Sequence, residues 1–262
     1  MRSSLTLLLA LTLFAVSVHA DQTKEAPSAG GEGAAVLEKA REAMKSLTAV
    51  RYKVDYKPTA WLTKRIPVIS ANVLLAGQSK WKIDRFRFEG TVQPPPPETS
   101  AEGSTEPGKT VGPQKMTAGC DGDMYFLIHE DSKTVYEDID PAVLGSSGRA
   151  IPRAVLSGFT SGDPLADERK AEKIELREPV DVGGEKCDQV VVTMPGGRQT
   201  IWYISQKTSL PRRVDRIIND PKDGVATTEL VLSEFEANPK VEGKPFKVVV
   251  PAGFTKSDQF AP

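Results

Sequence analysis

Two cysteines and one histidine carry the most specific chemistry of this chain. Cys120 and Cys187 are its only cysteines, and His129 is its only histidine once His19 in the N-terminal segment is set aside. A Cys/His zinc site would need all three and an added carboxylate, which their spacing does not suggest. His129 lies within a strand pattern, and no Gly-x-Ser-x-Gly elbow offers a nucleophile for a Ser-His-Asp triad. We predict no metal, no cofactor, no catalytic residue and no enzymatic activity, with an exported hydrolase as the alternative.

The charge balance and the glycines argue against phosphate chemistry. Lys and Arg total 34 against 35 Asp and Glu, a formal charge of −1, whereas a nucleic-acid partner requires a cationic face. Gly183-Gly184 and Gly196-Gly197 match turns, and no Gly-x-Gly-x-x-Gly sequence opens a helix. We therefore expect no nucleic-acid partner.

The first 20 residues have the three parts of a secretory signal peptide. Arg2 precedes an apolar run from Leu5 to Val18, and small residues at Val18 and Ala20 permit cleavage after Ala20. The run has about 14 residues, fewer than the roughly 20 that span a bilayer. We expect a periplasmic or secreted protein without a transmembrane segment, the alternative being an uncleaved anchor.

Export would allow Cys120 and Cys187 to pair, because disulfides persist in oxidising compartments. The bridge would stabilise the fold by about 4 kcal/mol on the loop-entropy model. Two buried free thiols are a second possibility, and a redox pair is a third, although the Cys-x-x-Cys spacing is missing. Cys120 and Cys187 are therefore a disulfide candidate.

One helix and a series of strands must position these residues. Residues 21–33 are polar and Gly-rich, typical of a flexible lead-in. Apolar residues at three- and four-residue spacing predict a helix over 34–47. After it the apolar period changes to two, which predicts strands. The predicted strands are 50–57, 68–76, 80–92, 114–120, 123–130, 133–138, 171–181, 187–195, 198–206, 210–219, 225–236 and 245–250.

Two segments interrupt the strands. Residues 93–115 contain four consecutive prolines, which cannot join a sheet ladder. We expect a disordered insertion there, with a polyproline docking site as the alternative. Residues 141–170 mix apolar side chains with Gly and Ser, which favours one or two short helices lying across an open sheet.

Several strands are apolar on both faces. In strand 123–130, Met124 and Phe126 point one way while Tyr125 and Leu127 point the other. Helix signals are too few to cover twelve strands twice, so a curled sheet would have to enclose a helical plug, an apolar cavity or both. A β-sandwich with a dry core is the alternative.

The order of the segments resembles the LolA-like superfamily. The resemblance rests on VLEKAREAMKSLTAVRYKV (36–54), CDGDMYFLIHEDSKTVYE (120–137), GGEKCDQVVVTMPGGRQTIWYIS (183–205), SLPRRVDRI (209–217) and FKVVVPAGF (246–254). Within the superfamily it is most similar to an uncharacterised family of predicted periplasmic proteins. It implies a single half-barrel domain over 34–254, with 255–262 as a tail.

The resemblance implies a mainly β fold with few helices: an incomplete antiparallel β-barrel with an N-terminal helix and a short helical lid over an apolar concave face. Superfamily members of known role carry or receive lipoproteins and hold acyl chains on that face. The carrier's early Arg-Pro pair has no counterpart near 75–80, and no anchoring cysteine follows the leader.

We therefore expect a non-enzymatic periplasmic carrier or sensor that binds acyl chains of a lipid or lipoprotein. A regulatory protein-interaction module, binding an envelope protein through the concave face or the Pro-rich loop, is the alternative. The candidate cavity-lining residues are Trp81, Ile83, Met124, Phe126, Trp202, Ile204, Leu230 and Leu232, with Leu156 and Phe159 from the lid.

Overall fold

The computed structural model describes residues 31–79, 82–96, 112–144, 147–241 and 244–258. The predicted signal peptide (1–20), most of the lead-in (21–33) and residues 97–111 of the proline-rich segment lie outside these ranges.

Twelve strands of the described chain form one curved, open sheet that does not close into a barrel. The strands are β1 (Ala49–Pro58), β2 (Val68–Ser79), β3 (Lys82–Gln93), β4 (Gln114–Cys120), β5 (Tyr125–His129), β6 (Thr134–Asp138), β7 (Lys173–Val182), β8 (Glu185–Thr193), β9 (Gln199–Ser205), β10 (Pro211–Asp220), β11 (Gly224–Ala237) and β12 (Thr255–Ser257). Their order across the sheet is β12-β6-β5-β4-β3-β2-β1-β11-β10-β9-β8-β7. Neighbours are antiparallel except β12 and β6, so the predicted fold class is confirmed.

Alternation along the strands separates two faces. In β1, Tyr52, Val54 and Tyr56 are buried in the main core, whereas Arg51 and Lys57 are exposed. Successive side chains of a strand point to opposite faces, so the buried set lies on one side of the sheet. We call this side, which the helices cover, the inner face, and the other the outer face.

Three α-helices of the described chain cover the inner face: α1 (Glu32–Lys45), α2 (Ser147–Ala154) and α3 (Ser157–Thr160). Helix α1 buries Leu37, Ala40 and Met44, which recur at the three- and four-residue spacing of one helix face. It packs against β7, β8 and α3, while α2 packs against β1 and β2. The helices predicted near 34–47 and within 141–170 are therefore present.

C-terminal residues 244–258 cover part of the outer face. Phe246 is fully buried in a cluster with Ala49, Leu74 and Ala76. The prediction of a strand over 245–250 is wrong: Lys244–Phe246 is a 3₁₀ turn, and the strand that joins the sheet is β12. Proline before and after this apolar run removes backbone donors that a ladder needs. The expected tail thus begins with three residues that pair with β6.

Candidate ligand-binding cleft between the sheet and the helical segment

The helical segment, residues 141–170, is anchored to the inner face by an aromatic cluster. The ring centroid of Phe159 in α3 lies 5.8 Å from that of Tyr52 in β1 and 5.8 Å from that of Phe235 in β11. The rings of Tyr52 and Phe235 stack at 6.1 Å. The Tyr52 hydroxyl donates a hydrogen bond of 3.3 Å to the Ala154 carbonyl oxygen. One tyrosine therefore holds both α2 and α3 against the sheet.

A β-bulge in β11 supplies the third ring. The register against β1 shifts between Arg51, opposite Glu236, and Lys53, opposite Ser233. Glu234 within the shift has φ of +49°. An extra residue at a bulge reverses the side to which the following side chain points, and Phe235 accordingly packs against the main core of the inner face.

A cavity on the inner face, here called the larger cavity, has a volume of about 780 Å³. It lies between residues 157–168 of the helical segment and the adjoining ends of β8, β9 and β10. Leu165, Val192 and Ile218 give it an apolar lining, and Arg198 and Arg216 bring two guanidinium groups to it. A volume of this size falls within the range of small-molecule sites.

The smaller cavity has a volume of about 430 Å³ and lies between α2 and the sheet at β2 to β5. Its lining is mainly apolar, with Leu75, Phe86, Tyr125, Ile151 and Val155 among the residues that form it. Ser157, the first residue of α3, lines both cavities. The beginning of α3 is thus the partition between them.

Each cavity contains a titratable group in a desolvated setting. Burial raises the pKa of Glu168 in the larger cavity, and the Asp167 carboxylate raises it further. The Trp202 indole lies close to Glu168, but its Nε1 has no partner in hydrogen-bonding geometry. In the smaller cavity, burial raises the pKa of the Cys120 thiol, and Asp84 Oδ1 is buried without a partner.

The predicted lining residues fall into three groups. Trp202, Ile204, Leu230 and Leu232 lie on the inner face, and Leu156 and Phe159 lie in the helical segment, all buried in the main core. These six residues therefore pack together, but neither cavity is lined by them directly. They belong to the packed apolar core of the inner face.

The placement of Phe126 on the inner face is wrong. Phe126 packs with Ile128 and Val135 on the outer face, against Val248 and Phe254 of the C-terminal segment. Both faces of β5 are covered, so its alternation gave no sign of direction. The inner residues of this strand are Tyr125 and Leu127.

The structure describes the other three predicted residues to different extents. Met124 is half-buried in the turn before β5. The backbone of Ile83 lies in β3 and pairs with that of Gly77 in β2. Trp81 lies outside the described residues.

Both cysteines are free and buried, which corrects the expected disulfide. Cys120 lines the smaller cavity on the inner face, whereas Cys187 packs with Val191, Ile201 and Tyr203, which alternate with inner-face residues. Six strands separate β4 from β8 in the sheet order. A disulfide requires Cα atoms within about 7 Å, so the second sequence-based possibility, two buried free thiols, describes the structure.

Sequence reasoning missed the polar residues of the larger cavity. Arg198 directly precedes β9, and Arg216 of β10 lies opposite Thr200 of β9. Both arginines therefore lie near the same end of the β9–β10 pair. Neither arginine breaks the alternation of apolar and polar residues, so the sequence does not indicate a binding site at either position. The strand register, which brings the two arginines together, cannot be read from their positions in the chain.

Two other groups of buried charges are satisfied within the fold. Arg212 Nε donates to Glu185 Oε2 at 2.5 Å, and Glu185 also accepts from the Ser205 hydroxyl. On the outer face, the Tyr203 hydroxyl donates to Asp215 at 3.0 Å, and Arg213 forms a salt bridge to the same carboxylate. Within the described ranges, no group of His, Cys, Asp and Glu side chains is arranged to hold a metal ion.

No protein-family model matches the sequence, and no curated protein matches it. Solved structures do match. MucB is 11% identical, with a TM-score of 0.52 over 84% of this chain and 64% of the MucB chain. LprF from Mycobacterium bovis is 12% identical, with a TM-score of 0.48 over 85% of this chain and 97% of that chain. A LolA superfamily protein from Nitrosomonas europaea is 13% identical, with a TM-score of 0.32 over 82% and 96%.

At these identities the comparisons establish the fold alone. The chain shares the fold of MucB while spanning less than two thirds of that protein's length. The match to MucB supports the predicted curved sheet covered by helices, as a likeness of fold. Among the described residues, every helix is too short or too polar to cross a membrane.

Proposed function

We propose that this protein is a non-enzymatic, exported carrier or sensor that binds an acyl chain in the cleft between the inner face and the helical segment. The observation that carries the proposal is the pair of cavities on either side of α3, which share Ser157 as their partition. An exported location is supported by the three-part leader at residues 1–20.

Burial of the chain would drive binding. Each buried CH₂ contributes about 0.8 kcal/mol, so a 16-carbon chain could supply roughly 10 kcal/mol before ordering costs. The smaller cavity suits such a chain, because Leu75, Phe86 and Val155 offer aliphatic and aromatic contacts. Few directed hydrogen bonds are needed for this mode of binding.

The helical segment would act as the cover of the cleft. Helix α3 is only four residues long, and a helix of this length owes its stability to packing rather than to its own hydrogen bonds. Its anchors are Leu156 and Phe159, both buried on the inner face. A chain that displaced these anchors would join the two cavities into one channel under the segment.

A fluorescent fatty-acid titration with matched tryptophan variants tests the proposal. Val155→Trp fills the smaller cavity, whereas Val225→Trp adds the same side chain at a position that is 61% exposed. We expect Val155→Trp to weaken binding at least about tenfold and Val225→Trp to leave it unchanged. Thermal unfolding of both variants verifies that each is folded.

Native mass spectrometry of the protein, purified from the cell envelope without detergent, gives an independent reading. A stoichiometric bound lipid or acylated peptide supports the carrier and identifies its cargo class. An apo mass together with no fatty-acid uptake contradicts acyl binding. The cleft would then be a dry core, and the regulatory module that binds an envelope protein becomes the leading function.

A further inference from the structure

The larger cavity differs from the smaller one in its charges. It is lined by three acidic side chains, Asp163, Asp167 and Glu168, and by two basic ones, Arg198 and Arg216. A ligand in this cavity would meet whichever of these charges the protein leaves unpaired. The hydrogen bonds of each group therefore decide the chemistry of the site.

Two of the acids are already neutralised by salt bridges. Asp163 accepts from Arg41 of α1 at 3.1 Å and also pairs with Arg169. These guanidinium groups hold the pKa of Asp163 below its usual value. Asp167 pairs with Lys170 at 3.0 Å. Their negative charge is directed at partners within the helical segment and α1.

The third acid, Glu168, is the one whose charged form the fold disfavours. Burial raises the pKa of Glu168, although Arg216 opposes the shift through its positive charge. The carboxyl group forms no salt bridge to Arg216 or to any other described residue. No ion pair to Glu168 therefore occupies the arginines of this cavity.

The two guanidinium groups remain available. Arg198 and Arg216 are both exposed to the cavity side and make no side-chain hydrogen bond or salt bridge within the described chain. Because Arg216 lies opposite Thr200 and Arg198 is two residues from Thr200, the pair is diagonal across neighbouring strands. Arginine presents a planar fork that binds carboxylate and phosphate oxygens with two hydrogen bonds.

We propose that the larger cavity is a head-group site for an anionic amphiphile, with Arg198 and Arg216 binding a carboxylate or phosphate and the acyl chain passing under α3. This inference rests on the proposed acyl-chain binding and adds the class of head group to it. Leu165, Val192 and Ile218 give the first carbons next to the head group an apolar surface.

A set of 16-carbon ligands that differ only in the head group tests the assignment. Palmitate, hexadecyl phosphate, hexadecanol and hexadecyltrimethylammonium are titrated as competitors of a bound neutral dye. We expect the two anions to bind about tenfold more tightly than hexadecanol at low salt. Raising the salt concentration should shrink this preference, because screening weakens exposed charge pairs. The ammonium ligand should bind more weakly than hexadecanol.

The matched variants remove two positive charges in different places. Arg198→Gln/Arg216→Gln should abolish the anion preference and leave hexadecanol affinity unchanged. The control, Arg177→Gln/Lys57→Gln, removes two exposed charges outside both cavities and should retain the preference. Retention of the preference in the Arg198/Arg216 variant would overturn the assignment.

The other outcomes separate this inference from the function on which it rests. Hexadecanol binding as tightly as palmitate would remove the head-group site and leave acyl binding intact. Inorganic phosphate competing as well as hexadecyl phosphate would mean that the arginines form a free-anion site, not an amphiphile site. Failure of all four ligands to displace the dye would overturn both proposals together.

Discussion

Gly158 of α3 lies directly against Met44 of α1: a Cβ placed on Gly158 would come within 2.9 Å of Met44 Sδ. Both residues are buried. The missing side chain at position 158 is what allows the four-residue helix to lie between α1 and the sheet. The N-terminal helix and the helical segment are thus coupled through one close contact.

Enlarging position 158 should loosen the helical segment. Gly158→Leu cannot fit without moving α3, and we expect a loss of about 1–3 kcal/mol in the free energy of unfolding, with faster uptake of a fluorescent fatty acid. Gly158→Ala should cost less, because the end of the Met44 side chain can rotate away. Urea unfolding and stopped-flow uptake measure the two effects. A Leu variant with wild-type stability and uptake would contradict this coupling.

Removing the aromatic anchor should destabilise the fold more strongly. Phe159→Ala deletes a buried ring that contacts Tyr52 and Phe235, and such deletions cost about 3–5 kcal/mol. Phe159→Leu keeps most of the apolar volume and should cost roughly half as much or less. Urea unfolding of both variants gives the comparison. Equal losses would show that the ring contacts, not the apolar volume, set the cost at this position, whereas a loss below about 1 kcal/mol for Phe159→Ala would contradict its role as an anchor.

Strand patterns were readable wherever one face of a strand meets the core and the other meets water. In β1, Tyr52 and Val54 alternate with charged residues, and the predicted strand over 50–57 lies within Ala49–Pro58. Where both faces are covered, as in β5, the pattern predicts a strand but not the direction of its side chains. The wrong placement of Phe126 follows from this, because the segment that covers it is more than 100 residues away in the chain.

The cavities themselves could not be predicted, because they depend on register and on the path of the helical segment. Apolar residues such as Trp202 were expected to line a space, but Leu156 and Phe159 fill that space. The pairing that sets Arg216 opposite Thr200 is a long-range property of the sheet. The strand pairing also decides the face of the sheet to which each cysteine points.

The two thiols should report separately on the cleft. Burial raises the pKa of both, that of Cys187 to about 11, so the native protein should react with iodoacetamide at pH 7 far more slowly than the unfolded protein. Fatty acid at ten times its Kd should slow the labelling of Cys120 by about tenfold further, since only unliganded protein exposes the cavity. Cys187, on the outer face, should label at an unchanged rate. Peptide mass spectrometry resolves the two sites, and equal protection of both would contradict a ligand in the smaller cavity.

The partly desolvated carboxyl of Glu168 should make stability depend on pH. Burial raises its folded-state pKa above the unfolded value of about 4.3. The stability associated with protonated Glu168 is therefore fully present below that value and is lost as the pH rises through the folded pKa. Glu168→Gln, which keeps the shape and stays neutral, should match the wild type near pH 4 and be more stable than it at pH 7. Exposed Glu172→Gln serves as the control for the removal of one acidic charge. Urea unfolding at pH 4, 5.5 and 7 measures the difference, and a Gln variant that is less stable than the wild type at pH 7 would mean that ionised Glu168 has a stabilising partner in the fold.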